Sequence, residues 1–260
     1  MSSQTAEHQG VRRCGMGGDD LQIWLNHFEY HAQHARHIPA CLSDELTAAE
    51  RWRIAGSIAT FQLGEQSEGG TLRAAAARFA RRHDMPSLER IVELFIREEQ
   101  RHAALLRAFM EDHGIALKRR DWTDRVFRGV RRLAGLELYL HVFICAELIG
   151  KVYYRALEAA TGCQRLKVLC RVMVCEELAH VGFESQLLLN LRAARPAPLR
   201  ALVRLAHRTF FIGTAGVVWL THRGVLRCAG YNPASFLRSC LAQYAFYLEP
   251  PAISVAPTSV

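Results

Sequence analysis

Two short motifs of the form EExxH are the residues of this chain best suited to chemistry. They occupy Glu98–His102 and Glu176–His180. Because residues three apart share one face of a helix, the second glutamate and the histidine of each motif could bind one ion from a single helix. Carboxylate oxygens combined with imidazole nitrogens suit iron or manganese, whereas zinc prefers tetrahedral nitrogen and sulfur ligands.

The surroundings of the motifs are more informative than their number, because a chain with 12 histidines contains ExxH spacings by chance. Each motif interrupts the apolar stripe of a predicted helix, where a charge is costly unless it is paired or bound to metal. A glutamate also interrupts the preceding helix: Glu65 lies 34 residues before Glu99, and Glu147 lies 30 residues before Glu177. Four carboxylates and two histidines that meet in one helical core form a ligand set for two metal ions.

This pattern resembles the ferritin-like superfamily of diiron-carboxylate proteins, over about residues 47–194. The resemblance implies an all-α fold, namely a ferritin-like four-helix bundle with additional C-terminal helices. It also implies two iron ions as cofactors, with manganese as the alternative metal. The implied ligands are Glu65, Glu99 and His102 for one iron, and Glu147, Glu177 and His180 for the other, with some carboxylates bridging.

The first glutamate of each motif has its own implied role. In oxygen-activating relatives, the acid before the ligand glutamate hydrogen-bonds the ligand histidine of the opposite motif. Glu176 would therefore orient His102, and Glu98 would orient His180. The alternative is a metal-free bundle in which buried Glu–His and Glu–Arg pairs satisfy these groups.

Three further residues fall on the predicted ligand faces. Gly150 and Tyr154 lie one and two turns after Glu147. The glycine either leaves room for O2 or substrate or allows close helix packing, and the tyrosine either supports the site or belongs to the core. Glu184 lies four residues after His180 and is either a seventh ligand, a gate or a partner for an arginine.

Long helical periodicity must position these groups, and no segment shows convincing strand alternation. The predicted long helices cover about 47–82, with a kink or break at Gly69-Gly70, then 87–114 with Ser87 as a cap, 129–161 and 163–194. Two or three shorter helices are predicted over about 198–249, broken by Gly224 and Gly230. We therefore expect one domain over 21–249, flanked by loose segments at 1–20 and 250–260.

Four histidines near the N-terminus are spaced at three and four residues, at positions 27, 31, 34 and 37. Such spacing could bind a transition metal. Because no set of acidic residues accompanies them, an exposed N-terminal helix is the preferred interpretation.

Composition excludes several classes of protein. The 260 residues are 50% hydrophobic, which suits a globular fold rather than disorder. The eight cysteines include no CxxC pair, and no secretion signal is visible, so we expect reduced thiols in the cytoplasm. The longest uncharged apolar run, Thr209–Thr221, is too short to span a membrane.

The net charge of +8 arises largely from two arginine-rich stretches. They comprise Lys118, Arg119, Arg120, Arg125, Arg128, Arg131 and Arg132 in one, and Arg192, Arg195, Arg200, Arg204 and Arg208 in the other. Solvated helix faces explain them most simply, and docking of an acidic carrier protein is the sharper hypothesis. Nucleic acid is disfavoured because no aromatic residues alternate with the basic ones.

Within the resembled superfamily, the sequence favours an O2-activating non-haem diiron oxygenase or oxidase that acts on a small or carrier-bound organic substrate. Ferritins are typically shorter and lack a second full ExxH set, and rubrerythrin-like peroxidases carry a four-cysteine iron site. No flavin or ferredoxin motif is present, so a separate electron donor, a reductase or a ferredoxin, is expected. The alternative is an iron-handling or redox-sensing protein without an organic substrate. A homodimer is compatible with either interpretation.

Overall fold

The computed structural model describes residues 18–39, 42–66, 69–121, 129 and 136–249. Over this part of the chain the fold is all-α and contains no strand, which confirms the predicted fold class. The eight described helices are α1 Gly18–Gln33, α2 Ala48–Glu65, α3 Gly70–His83, α4 Ser87–Asp112, α5 Leu136–Ala159, α6 Gln164–Ala193, α7 Ala197–Cys228 and α8 Pro233–Leu248.

Two helix pairs, α2 with α4 and α5 with α6, form the centre of the fold. Helix α4 packs against both α2 and α6, and the packing between α5 and α6 is the most extensive among the described helices. Buried apolar side chains from all four fill the space between them, among them Ile58, Phe95, Ile144 and Leu169. The long helix α7 then covers α2 and α5, and α8 covers α5, α6 and α7. The additional C-terminal helices are therefore part of the packed body.

The predicted break after α2 is real and has a local cause. Gly69 has φ +64°, in the left-handed region that favours glycine. A Cβ added there would lie 2.5 Å from Cδ1 of Ile96 on α4, so the chain can pass α4 at this point only without a side chain. At the start of α4 the prediction was wrong in detail, since Ser87 is the first helical residue and no side chain caps the helix.

The C-terminal region contains two helices, in agreement with the predicted two or three, but the first is long and the predicted break at Gly224 is absent. Helix α7 is 32 residues long and continues through Gly224 without a break. A glycine inside a helix costs about 1 kcal/mol relative to alanine, and burial of Phe211 and Trp219 against neighbouring helices offsets that cost. The chain turns only at Gly230, where φ is +84°, and Asn232 then caps α8. Among the described helices, none has the length and apolar character that a membrane span requires.

Helix α1 begins at Gly18, three residues before the predicted start of the domain. It packs against α4 with Leu21 and Phe28 fully buried, which corrects the expectation of a merely exposed helix. The predicted loose segments over 1–17 and 250–260 lie outside the described residues.

Candidate metal centre

Helices α4 and α6 bring the two EExxH motifs face to face inside the bundle. The ligand atoms of Glu99, His102, Glu177 and His180 all lie within 4.8 Å of one another, and all four residues are buried. On each helix the glutamate and histidine are three residues apart, so both side chains leave the same face. Four potential ligands from two helices therefore converge on one point.

The distances show one compact cluster rather than two separate pairs. Nδ1 of His180 lies 2.8 Å from Oε1 of Glu99 and 3.0 Å from Oε2 of Glu177. Nδ1 of His102 lies 3.1 Å from Oε1 of Glu177 and 3.7 Å from Oε1 of Glu99. Each imidazole thus directs the same nitrogen toward both carboxylates.

The outer nitrogen of each ring contacts the first acid of the opposite motif. Nε2 of His102 lies 2.8 Å from Oε2 of Glu176, and Nε2 of His180 lies 3.3 Å from Oε2 of Glu98. The guanidinium of Arg101 contacts both of these outer carboxylates. An acid at Nε2 holds that nitrogen as the donor and leaves Nδ1 as the ligand atom of the ring.

Glu65 and Glu147 border the cluster from the other two helices. Glu65 is the last residue of α2, and its Oε1 accepts a hydrogen bond of 2.6 Å from the hydroxyl of Tyr154. Glu147 is buried in the middle of α5. Both line the same cavity as Glu99 and Glu177, although neither belongs to the tight group within 4.8 Å.

Charge in the cluster is balanced by protons. Burial alone would lower the pKa of His102, but the close contacts of its ring with the carboxylates of Glu176 and Glu177 raise it to about 10. At His180, burial again acts to lower the pKa of the ring. The charge of Glu177 outweighs burial, so the pKa of His180 lies well above its usual value. Burial, then the charges of Glu99 and Glu177, raise the pKa of Glu65.

Glu147 shows the same effect. Burial, then the charges of Glu177 and Glu99, raise its pKa well above the usual range. Glu177 differs, because His180 holds its pKa well below the usual range although burial acts the other way. Several protons therefore occupy a site where divalent cations could supply the same positive charge.

Unpaired polar atoms test whether the residues fit a metal. Oε1 of Glu99, Nδ1 of His102 and Oε1 of Glu177 are fully buried. Each lies within 3.1 Å of a group of opposite charge, but none has hydrogen-bond geometry within the described chain. Buried polar atoms in folded proteins are otherwise nearly always paired. Three donor atoms without a hydrogen bond that converge on one point, all oxygen or imidazole nitrogen, fit a divalent transition metal.

A cavity of about 140 Å³ adjoins the carboxylates. Its wall is mostly apolar and comes from α2, α4, α5, α6 and α7. The apolar lining residues are Phe61, Val142, Phe143, Ala146, Ile149, Val217 and Val218. Gly64, Ala146 and Thr221 are exposed, so the cavity can be reached from solvent on that side. A small organic molecule could therefore lie beside the cluster.

The three neighbouring residues singled out in the sequence have different positions. Gly150 lines the cavity, and a Cβ there would meet Phe61 and Tyr154 at ordinary contact distances of 3.8 and 3.9 Å. Close helix packing therefore does not require this glycine. Tyr154 lines the cavity and donates to Glu65. Glu184 is buried, and neither of its oxygens has a hydrogen-bond partner, so no arginine pairs with it within the described residues.

The histidine run at the N-terminus divides into two parts. His31 contacts Oε1 of Glu98 through Nδ1 at 3.3 Å, and its ring packs against that of His27. His34 and His37 are exposed.

One residue that sequence reasoning missed, Phe28, stacks its ring on that of His180 at 5.9 Å. The position of Phe28 among the apolar residues of α1 predicts that it is buried, but it does not predict the contact with His180.

The second arginine-rich stretch is only partly a surface. Arg192 is 2% exposed, which corrects its assignment to a solvated face, and its guanidinium contacts His141 and His207. Arg195 pairs with Glu137. In the first stretch, Arg125, Arg128, Arg131 and Arg132 lie outside the described residues.

A polar group of three side chains, whose contacts sequence reasoning did not predict, also lies at the cavity. Oγ of Ser57 lies 2.9 Å from the hydroxyl of Tyr153 and 2.8 Å from Nδ1 of His222. His222 lines the cavity. The three residues come from α2, α5 and α7, so no local spacing in the sequence connects them.

No family model, no curated protein and no solved structure matches the chain. The likeness to diiron-carboxylate proteins therefore depends on the residues themselves. What the structure establishes directly is an all-α protein with a buried Glu–His cluster, Glu99–His102–Glu177–His180, that could hold a metal ion.

Proposed function

We propose that this protein is an O2-activating non-haem diiron oxygenase or oxidase. One observation carries the proposal: a buried cluster of carboxylate and imidazole atoms, several of them without a hydrogen bond, borders an apolar cavity. Buried polar atoms without partners are costly, and a bound metal would satisfy them. The apolar cavity supplies a place for an organic substrate at the same carboxylates.

Each residue has a distinct task in this proposal. Glu99, His102, Glu177 and His180 would hold the metals, and Glu65 and Glu147 would complete the ligand set from α2 and α5. The metals would supply the redox chemistry and the binding of O2. The hydroxyl of Tyr154 holds Glu65 in place through its 2.6 Å hydrogen bond.

The protein surrounding the cluster would control access to it. Phe28 and Phe95 pack against the ring of His180 and exclude water from that side. The wall of α7 closes the other side with Val217 and Val218. Substrate would therefore reach the metals through the cavity, whose apolar wall keeps most water away from the reaction.

The alternative is an iron-handling or redox-sensing protein without an organic substrate. Such a protein needs an acidic path by which ions enter. The exposed part of the cavity wall is instead neutral, formed by Gly64, Ala146 and Thr221, and Glu65 is the only acid of the described wall that is half-buried rather than buried. The wall therefore favours the oxygenase or oxidase.

Partners follow from what the described chain does not supply. Electrons would come from a separate donor, a reductase or a ferredoxin, in the cytoplasm. An acidic carrier protein that presents the substrate would fit the basic surface, of which Arg200 and Arg204 on α7 have no acidic partner within the described residues. The carboxylate and imidazole ligands suit both metals, and we propose iron, with manganese as the alternative. A homodimer is compatible with the site.

The test is anaerobic reconstitution of the full chain with Fe(II), followed by exposure to O2. We expect two iron ions per chain, oxidation of both by O2, and no reaction in the Glu99→Ala variant. An iron handler would instead oxidise many ions per chain. A protein that binds no metal in stoichiometric amounts would be a metal-free bundle and would contradict the proposal.

A further inference from the structure

A chain of hydrogen bonds lies against the cavity on the side formed by α7. The hydroxyl of Tyr153 contacts Oγ of Ser57, which in turn contacts Nδ1 of His222. The proposed metal site uses none of these three groups. Because His222 borders the same cavity as Glu65 and Glu99, the chain connects the core of the protein to the place where a substrate would lie.

The tyrosine fixes the direction of these hydrogen bonds. Tyr153 is 0% exposed, and Ser57 is the hydrogen-bond partner of its hydroxyl among the described residues. The phenol has a single proton, and it can be donated only to Oγ of Ser57. Ser57 has only these two side-chain partners among the described residues, so its own proton goes to Nδ1 of His222, because accepting from both would leave the serine proton without an acceptor. The reverse direction would leave the buried phenol proton without an acceptor, which is costly.

His222 must therefore carry its proton on the other ring nitrogen. A neutral imidazole that accepts at Nδ1 has its proton on Nε2. Burial, then the charge of Lys118, lowers the pKa of His222 to about 4, so the ring is neutral near pH 7. Nε2 has no hydrogen-bond partner among the described residues, while the ring borders the cavity. His222 thus brings an N–H donor of fixed tautomer to the wall of the cavity.

We propose that His222 orients the substrate by donating this hydrogen bond to a carbonyl or carboxylate oxygen of an otherwise apolar molecule. The inference rests on the proposed function in that the other part of the substrate would be oxidised at the carboxylate cluster. Glu65 lies eight positions after Ser57 on α2, which corresponds to about 12 Å along the helix. The wall between them includes Phe61 and Ile149, so the middle of the molecule is apolar.

The proton position can be measured directly. Long-range proton–nitrogen NMR spectra of the full chain, with ¹⁵N-labelled histidine, distinguish the two tautomers of a neutral ring. We expect His222 to carry its proton on Nε2, and we expect Ser57→Ala to produce a mixture of tautomers. A ring protonated on Nδ1 in the unaltered protein would overturn the inference.

Ligand preference tests the function of the donor. Two probes, 4-phenyl-2-butanone and butylbenzene, share an apolar body and differ in the oxygen acceptor, and 4-phenylbutyrate adds a carboxylate. A single hydrogen bond in a buried site corresponds to about a tenfold difference in affinity. We expect the unaltered protein, freed of metal, to bind at least one oxygen-bearing probe about tenfold more tightly than butylbenzene.

Variants connect this preference to one side chain. His222→Leu should lose the preference for the oxygen-bearing probes over butylbenzene, whereas His222→Gln, which keeps an N–H near the position of Nε2, should retain part of it. His207→Gln is the matched control, because His207 is a buried histidine of the same helix that does not line the cavity. An unchanged preference in His222→Leu would overturn the inference.

Metal content separates this inference from the proposed function. If the chain binds no metal but His222 still selects the oxygen-bearing probes, the proposed function fails and the binding site stands. If two metals bind and react with O2 but the probes bind alike, the proposed function stands and the role of His222 fails.

Discussion

Nε2 of His102 lies 2.8 Å from Oε2 of Glu176, an acid on the neighbouring helix. The contact joins the two motifs crosswise, because the opposite nitrogen of the same ring faces Glu99 and Glu177. The imidazole is therefore held at both ends, and its Nδ1 cannot turn away from the cluster. This geometry makes the outer acid as relevant to metal binding as a ligand.

Replacing Glu176 by Ala should weaken metal binding by about 10- to 100-fold, since loss of such an outer partner frees the ring and lowers its basicity. Glu176→Gln, which keeps an acceptor for Nε2, should lose less. Isothermal titration with Fe(II) or Mn(II) under anaerobic conditions measures the change. The control is Glu93→Ala, an acid of α4 that pairs with Arg90 and Arg97 away from the cluster. Equal affinity in all three variants would contradict the assignment.

Replacing Glu99 or His180 by Ala should remove most of the bound metal and leave the protein helical. Each variant deletes one of the four convergent ligand atoms without altering the apolar faces of α4 and α6. Elemental analysis and circular dichroism give the two readouts. Glu184→Gln should keep its metal, because Glu184 lies outside the convergent group and, unlike Glu65 and Glu147, does not line the cavity beside it. Full retention of metal in both ligand variants would refute the assignment.

The metal-free protein should lose stability as the pH rises from 6.5 to about 8. The pKa of His102 is about 10 in the folded chain, above its usual 6.5, so its contribution is complete below pH 6.5 and is lost toward pH 10. The raised pKa values of Glu65 and Glu147 act in the same direction, since the unfolded chain has already released those protons.

Urea unfolding at several pH values measures this dependence. Each proton held only by the folded chain adds a slope of up to about 1.4 kcal/mol per pH unit. Bound metal displaces these protons, so metal affinity should rise with pH and the loaded protein should show a shallower slope. A metal-free protein that becomes more stable over this range would contradict the proton balance of the cluster.

Two glycines should respond oppositely to alanine. Gly150→Ala should stabilise the fold by about 0.5–1 kcal/mol, because the residue is helical and the new Cβ meets Phe61 and Tyr154 only at ordinary distances. Gly69→Ala should destabilise it by more than about 1 kcal/mol, because φ is +64° and Ile96 occupies the space. Thermal or urea unfolding of both variants provides the measurement, and similar effects of the two substitutions would show that the local geometry is misjudged.

The Gly150→Ala variant should also reduce the cavity beside the carboxylates. A smaller cavity should weaken the binding of 4-phenyl-2-butanone while metal content stays unchanged. Unaltered probe affinity would show that the probe binds elsewhere.

Local regularities made part of the site predictable. The ExxH spacing places a glutamate and a histidine on one face of a helix whatever surrounds them, and Glu99 with His102 shows this. A charged residue in an apolar stripe predicts burial, and both residues are buried. The all-α fold follows from the same periodicity, which is strong over long segments.

Long-range packing could not be predicted in this way. Ser57 contacts Tyr153 and His222, which are 96 and 165 residues away in the chain, and no spacing rule links them. Gly224 was expected to end a helix, but α7 continues because packing against α2 and α5 outweighs a small local cost. Arg192 looks like a surface residue in the sequence, and only the structure shows that it is buried.

Three of the four carboxylates around the cluster sit inside helices, with a full turn on both sides, whereas Glu65 is the last residue of α2. The backbone at Glu65 is thus fixed from one side only, and a single phenol steadies its side chain. Consequently, the backbone holds three of the carboxylates in place, and Glu65 is the one that can move most easily. In the proposed two-metal site, a change in metal separation or coordination number would be absorbed first at Glu65, while the helices that carry the other proposed ligands could remain still.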